Sequence, residues 1–174
     1  MKTTRRLTLC AVLAALALAF SYLESFFPLF LLVPLPGVKL GLANIVTLFA
    51  LYYLGAPSAL AILLVRCLLG ALFAGNASAL IFSLLGGFSA MLVMILLRRC
   101  RVFSIFGVSI GGAAAHNCGQ ILAALLTLGN AAPLAYLPAL LLVSLFTGAL
   151  TGLIAALLFR SLAHTPLNHP DGGR

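Results

Sequence analysis

The feature that most constrains this chain is a set of six long apolar runs, with nearly every charge lying in or beside the short breaks between them. The runs cover residues 7–27, 38–54, 57–74, 77–97, 102–128 and 133–162. About 20 apolar residues in helical form span the hydrocarbon core of a bilayer. Charged residues make up only 7% of the chain, against about 25% in a soluble domain. Too little polar surface exists to coat a water-soluble globule, so a soluble enzyme is excluded. Disorder is excluded by the same balance, because 64% of the residues are hydrophobic and disordered chains are poor in apolar side chains. Segments of alternating hydrophobicity are absent, which argues against a membrane β-barrel. The expected fold is an all-α integral membrane bundle of six transmembrane helices over residues 1–162, followed by a short polar tail at 163–174.

The breaks carry turn chemistry. Pro28, Pro34, Pro36 and Gly37 stop the first helix and make a stiff apolar connector. Gly55 with Pro57, Gly75 with Asn76, the Arg98–Arg99–Cys100–Arg101 run, and Gly129 with Asn130 and Pro133 divide the rest. The second and third runs are at the short end for a span. The last two are long, and a break at Gly111–Gly112 or at Pro138 would shorten them.

Orientation follows from the bases. With six spans both termini share one side, and Lys2, Arg5, Arg6, the 98–101 cluster, Arg160 and Arg174 all fall on it. Excess Lys and Arg marks the cytoplasmic side, so both termini are expected in the cytoplasm of a bacterial cell and the chain is expected to be a multi-pass plasma-membrane protein. A signal-peptide reading of the first run would leave five spans and scatter these clusters over both sides. The net charge of +8 is therefore a topology signal facing the lipid bilayer, and nucleic acid is not an expected partner.

Polar residues at membrane depth are costly, so their positions are informative. Glu24 closes the first run; Lys39 and Asn44 open the second; Arg66 is central in the third; Asn76 precedes the fourth; and His116, Asn117 and Gln120 lie in the fifth. These eight residues are the candidate ligand-binding set, and they collect in the outer half of the bundle. A central arginine costs about 2.5–3.5 kcal/mol to insert, which the surrounding leucines, isoleucine and valine offset at about 0.3–0.6 kcal/mol each. Three fates are open to Arg66: an ion pair with Glu24 that orders the bundle, a cation facing a ligand, or snorkelling to headgroups. Lys39 either snorkels or meets the ligand. His116, Asn117 and Gln120 share a broad helix face, which serves either a ligand or interhelical hydrogen bonding. Lys39 and Arg66 against Glu24 leave a net +1, which favours a polar or anionic small molecule.

Catalytic chemistry lacks its residues. The chain has no GxxxxGK[ST] segment and so hydrolyses no nucleotide by that route. Its two acids, Glu24 and Asp171, cannot make the carboxylate cluster that Mg²⁺-assisted diphosphate chemistry needs. Cys10, Cys67, Cys100 and Cys118 form no CxxC pair, and a lone membrane-depth histidine offers no metal set. The expectation is a protein that is not an enzyme and needs neither metal nor cofactor. Small residues four apart supply packing surfaces: Gly37/Gly41, Gly107/Gly111, Gly148/Gly152, and the Ala11/Ala15/Ala19 stripe of the first run.

Three features together resemble a known family. They are Arg5–Arg6–Leu7 running into the Ala11/Ala15/Ala19 stripe, the segment PGVKLGLANI at 36–45, and the six-run layout. They are similar to the bacterial membrane family called heptaprenyl diphosphate synthase component I, or Gx transporters, over roughly residues 5–162. That family is in turn similar to the substrate-binding S components of energy-coupling factor (ECF) vitamin transporters. The resemblance implies a subunit that captures a small molecule at the outer face, beneath the 28–37 connector. It implies docking of a transmembrane coupling subunit on Ala11, Ala15 and Ala19, with ATP hydrolysis left to separate ATPase subunits. The alternative it implies is a non-catalytic membrane subunit associated with heptaprenyl or polyprenyl diphosphate synthesis.

Overall fold

A computed structural model describes residues 3–24, 26, 41–100 and 102–163. Among them every regular element is helical. The helices are α1 (Thr3–Glu24), α2 (Asn44–Tyr53), α3 (Ala56–Ala74), α4 (Ala77–Arg99), α5 (Ile105–Leu128) and α6 (Leu137–Ala163), with a 3-10 turn at Ala132–Tyr136 before α6.

The turn residues act where the sequence places them. Pro57 sits in the first turn of α3, where its missing N–H costs nothing. Asn76 Oδ1 accepts from Ala79 N at 3.1 Å and caps α4. Gly75 and Gly129 close α3 and α5 in left-handed conformation. Of the two alternatives for the long fifth run, a break at Gly111–Gly112 does not occur, since α5 runs through both. Pro138 does mark a change: the 3-10 turn gives way to α6 just before it.

Among the described residues four elements are long and apolar enough to cross a membrane: Thr3–Glu24, Ala56–Ala74, Ala77–Arg99 and Ala132–Ser161. The second run departs from its expected length. Gly41, Leu42 and Ala43 form a turn, and the helix that follows has ten residues. Ten residues of helix rise about 15 Å, half the roughly 30 Å of a hydrocarbon core. α2 is instead an interior element that touches α1, α3, α4 and α6. Its apolar side chains Ile45, Val46, Leu48 and Leu51 are buried together with its polar Asn44 and Thr47. α5 has 24 residues but carries His116, Asn117 and Gln120, and all three are buried.

Close approach of α4, α5 and α6 holds one side of the bundle. A Cβ at Gly148 would lie 2.6 Å from Ile110 Cα, and one at Gly152 would lie 3.2 Å from Phe106 Cα. The 148/152 spacing therefore lets the α6 backbone rest on α5, as small residues do in membrane helix pairs. On the other side α1 packs against α3 through the face bearing Ala14, Ala17 and Ser21.

Candidate functional site

α2 has two ends, and each is met by charged side chains. At the carboxyl end, Arg98 donates to Leu51 O at 2.5 Å and lies 4.9 Å over the Tyr52 ring. Arg6 donates to Leu54 O at 3.1 Å and to Ser58 Oγ at 2.8 Å. Cations at the carboxyl end of a helix meet its unsatisfied carbonyls and the negative end of its dipole. Both arginines are exposed on the outside of the bundle.

The amino end is buried. Glu24, the last residue of α1, is 2% exposed. Its Oε1 accepts from the backbone N–H groups of Gly41 and Leu42, the turn that leads into α2. A carboxylate at this end is favoured by the same dipole. Gly41 has φ +86°, a conformation that side-chain-bearing residues rarely adopt. A Cβ there would also meet Asn44 Nδ2 at 3.0 Å and the His116 ring at 3.3 Å. Glycine is what allows the turn to thread between α2's own Asn44 and α5.

Arg66 of α3 comes to the same place. It is 5% exposed, and its Nη2 donates to Asn44 Oδ1 at 3.2 Å. Its Nε has no hydrogen-bond partner among the described residues. Of the fates open to Arg66 in the sequence, snorkelling is removed by this burial. Its Nη2 hydrogen bond goes to Asn44, and the Glu24 charge acts on the guanidinium as well.

Two residues that sequence reasoning missed complete the cluster. They are Gly86 and Gly87 on α4, both buried. A Cβ at Gly86 would stand 2.9 Å from His116 Cε1 and 3.2 Å from Gln120 Cγ. One at Gly87 would stand 3.5 Å from Arg66 Nη2. The glycine pair makes the shallow wall against which the imidazole, the Gln120 stem and the guanidinium rest. The available signal was a Gly–Gly pair inside an otherwise apolar helix, a costly choice unless something packs there.

The structure therefore brings together Glu24, Asn44, Arg66, His116 and Gln120 around Gly41 and Gly86–Gly87. It does not bring in two others. Asn117 is buried, but its Nδ2 donates to Leu140 O at 2.8 Å and stitches α5 to α6. Asn76 is exposed and serves as the α4 cap. Lys39 and the 28–37 connector lie outside the described residues.

The alanine stripe points the other way. Ala11, Ala15 and Ala19 are exposed, while Ala14 and Ala17 face the bundle. Ala15 and Ala19 border a cavity of about 610 Å³ between α1 and α3, with Leu18, Tyr22, Gly70 and Phe73. This cavity is apolar and distinct from the polar cluster.

The chemistry on offer at the cluster is recognition. It holds a fixed cation, amide groups and an imidazole in a water-poor setting, where each hydrogen bond and charge weighs more than in water. Among the described residues no group of three His, Cys, Asp or Glu side chains is placed to hold a metal ion.

A family model described as heptaprenyl diphosphate synthase component I matches residues 13–158, which takes in all of α2 to α5 and most of α1 and α6. No curated protein and no solved structure matches the chain.

Proposed function

Because the chain belongs to the heptaprenyl diphosphate synthase component I family, we propose that it is a non-catalytic membrane subunit that captures a polar or anionic small molecule for import, in the manner of an S component. The observation that carries this reading is the convergence of Arg66, Asn44, His116 and Gln120 from three helices on one buried point at the amino end of α2. Buried polar groups that only glue helices need one partner each. Here five polar side chains and three glycines share one locus, and an arginine keeps a donor unspent.

In this reading α1, α3, α4, α5 and α6 cross the bacterial plasma membrane, α2 returns the chain through the interior of the bundle, and both termini are cytoplasmic. Arg6, Arg98, Arg99 and Arg160 then face the cytoplasm, and the cluster opens toward the outside. The exposed Ala11/Ala15/Ala19 face of α1 docks a transmembrane coupling subunit, and separate ATPase subunits supply the energy that a chain without a P-loop cannot.

Two experiments test this. Native mass spectrometry of the purified protein should find a bound small molecule; repeated purification with none, together with no uptake phenotype on deletion, would remove the capture role. Ala15→Leu should block assembly with the coupling subunit while ligand binding by the isolated subunit stays intact. Loss of binding in that variant would mean that the stripe packs internally.

The family description itself favours a second reading, an accessory subunit of heptaprenyl diphosphate synthesis. It predicts co-purification with a soluble prenyl synthase and a change in that enzyme's product length when the subunit is withdrawn.

A further inference from the structure

α1 and α3 run side by side in the same direction. Arg6 donates to Ser58 Oγ at 2.8 Å near their amino ends, and Leu18 lies against Gly70 further along. Toward the carboxyl ends the facing side chains become small: Ala15 and Ala19 on α1, Gly70 and Ala74 on α3. This leaves the hollow of about 610 Å³, a size within the roughly 300–1,000 Å³ of small-molecule sites. Packing within the chain does not account for two of its features. Gly70 is a glycine in a helix interior, a costly choice. Yet a Cβ there would meet only Leu18 Cδ1, at an ordinary 3.6 Å, whereas at Gly86, Gly119 and Gly148 a neighbour forbids the side chain. Ser21 is 9% exposed and lines the hollow, and its hydroxyl has no hydrogen bond among the described residues. The hydroxyls of Thr47, Thr147 and Thr151 each donate to a carbonyl one turn back.

We propose that this hollow holds an uncharged single-chain amphiphile taken from the bilayer, with a hydrocarbon body along α1 and α3 and one hydroxyl on Ser21 Oγ. Both helices are long and apolar enough to cross a membrane. Ala15, Ala19, Phe73 and Ala74 at the rim are exposed, so among the described residues the hollow opens sideways, where lipid chains lie. An apolar hollow stays dry and takes apolar guests. No Lys, Arg, His, Asp or Glu lines it, so a charged head would be unpaired at membrane depth. Glu24, three residues beyond Ser21, is engaged with the Gly41 turn. The Ser21 hydroxyl can donate once and accept from a second hydroxyl. At about 30 Å³ for a water-sized group, the space takes roughly twenty such groups, which suits one chain rather than the paired chains of a phospholipid. The inference is independent of the capture reading, since the polar cluster around Arg66 is a separate place. Its rival occupant is a side chain of a partner docked on the Ala15/Ala19 face.

The chain has no tryptophan, so a single one can serve as reporter in the full-length protein in phospholipid nanodiscs. Phe73→Trp places an indole at the hollow, and Phe146→Trp places one on an exposed part of α6 as control. Bromo-undecanol, which quenches indole on contact, should quench Phe73→Trp saturably and at about tenfold lower concentration than Phe146→Trp. Gly70→Leu, or Ala19→Leu from the facing helix, fills the hollow and should remove that excess. Gly70→Leu should do so without lowering the unfolding midpoint, because no neighbour blocks the new side chain. Ser21→Ala should weaken the alcohol about fivefold and leave bromo-undecane, which has no hydroxyl, unchanged. Undecanol and farnesol should displace the bromo-alcohol, while undecanoate and undecylammonium should not. Either alcohol competing at the lower concentration upholds the proposal and names the source as a linear or an isoprenoid chain. The proposal is overturned if both reporters are quenched alike, if the excess survives both filling variants, or if the charged probes compete as well as the alcohols. It is overturned too if Ser21→Ala treats the two bromo-probes alike. Loss of partner assembly in Gly70→Leu, with no excess quenching in Phe73→Trp, would make the hollow a socket for a protein side chain and overturn it as well.

Discussion

The two ends of α2 are built from the same residue type to different ends. At the carboxyl end, Arg98 and Arg6 sit on the exposed rim and donate to the backbone carbonyls of Leu51 and Leu54. Charge and helix dipole agree there, water is near, and the guanidinium groups finish the helix as caps. At the amino end, Arg66 is buried against the dipole, bound to a neutral amide, with Nε unpartnered among the described residues. The carboxylate that meets the free N–H groups there is itself buried, and the Arg66 charge acts on it across the cluster rather than on the helix carbonyls. An arginine that satisfies a helix and one that a helix merely surrounds are thus distinguishable by their partners, even though both read as one letter in the sequence.

That contrast can be broken. The largest expected effect is at Arg66. Arg66→Leu should abolish uptake while the protein still appears in the membrane fraction at normal level, as judged by transport assay and immunoblot. Unchanged uptake would make the two ends of α2 equivalent and end the functional reading. Gly41→Val comes next. It forces a branched side chain into a left-handed turn against Asn44 and His116, at a cost of about 2–3 kcal/mol. The unfolding midpoint in detergent should fall, and ligand binding should weaken with it. At the opposite end, Arg98→Ala removes one carbonyl bond and one aromatic contact. The expected loss is about 1 kcal/mol, with ligand affinity untouched. The smallest effect is expected at Asn117→Leu, which deletes the α5–α6 bond to Leu140 O for about 0.6 kcal/mol. Binding measured on that variant should equal that of the unaltered protein. A binding defect there would extend the site toward α6 and blur the boundary drawn above.

His116, Asn117 and Gln120 show how far the sequence reading reached. Their spacing put all three on one broad face of α5. In the fold, His116 and Gln120 meet Gly86 of α4, while Asn117 turns to α6. Each helical residue advances about 100° around the axis. His116 and Gln120 are thus about 40° apart, but Asn117 is about 100° from His116. A face that broad overlaps two neighbours, and only the packing says which residue meets which. The spacing of four put Ala11, Ala15 and Ala19 on one face, but only the packing shows that this face is exposed while Ala14 and Ala17 are buried.

What the sequence determined by itself was everything that depends on solvent and on local backbone chemistry. The shortage of charge dictated a helical membrane protein, Pro, Gly and Asn marked where the helices end, and the costly residues at depth nominated the site. What only the tertiary structure decided was length and convergence. The run 38–54 reads as one segment across Gly41, and only the fold shows that the helix begins at Asn44 and lies in the interior of the bundle. Nor does any local pattern join Glu24, Arg66 and Gly86–Gly87 to one point. Hydrophobicity fixes which residues leave water, since that is a property of each side chain; which of them meet depends on the angles and distances at which whole helices pack.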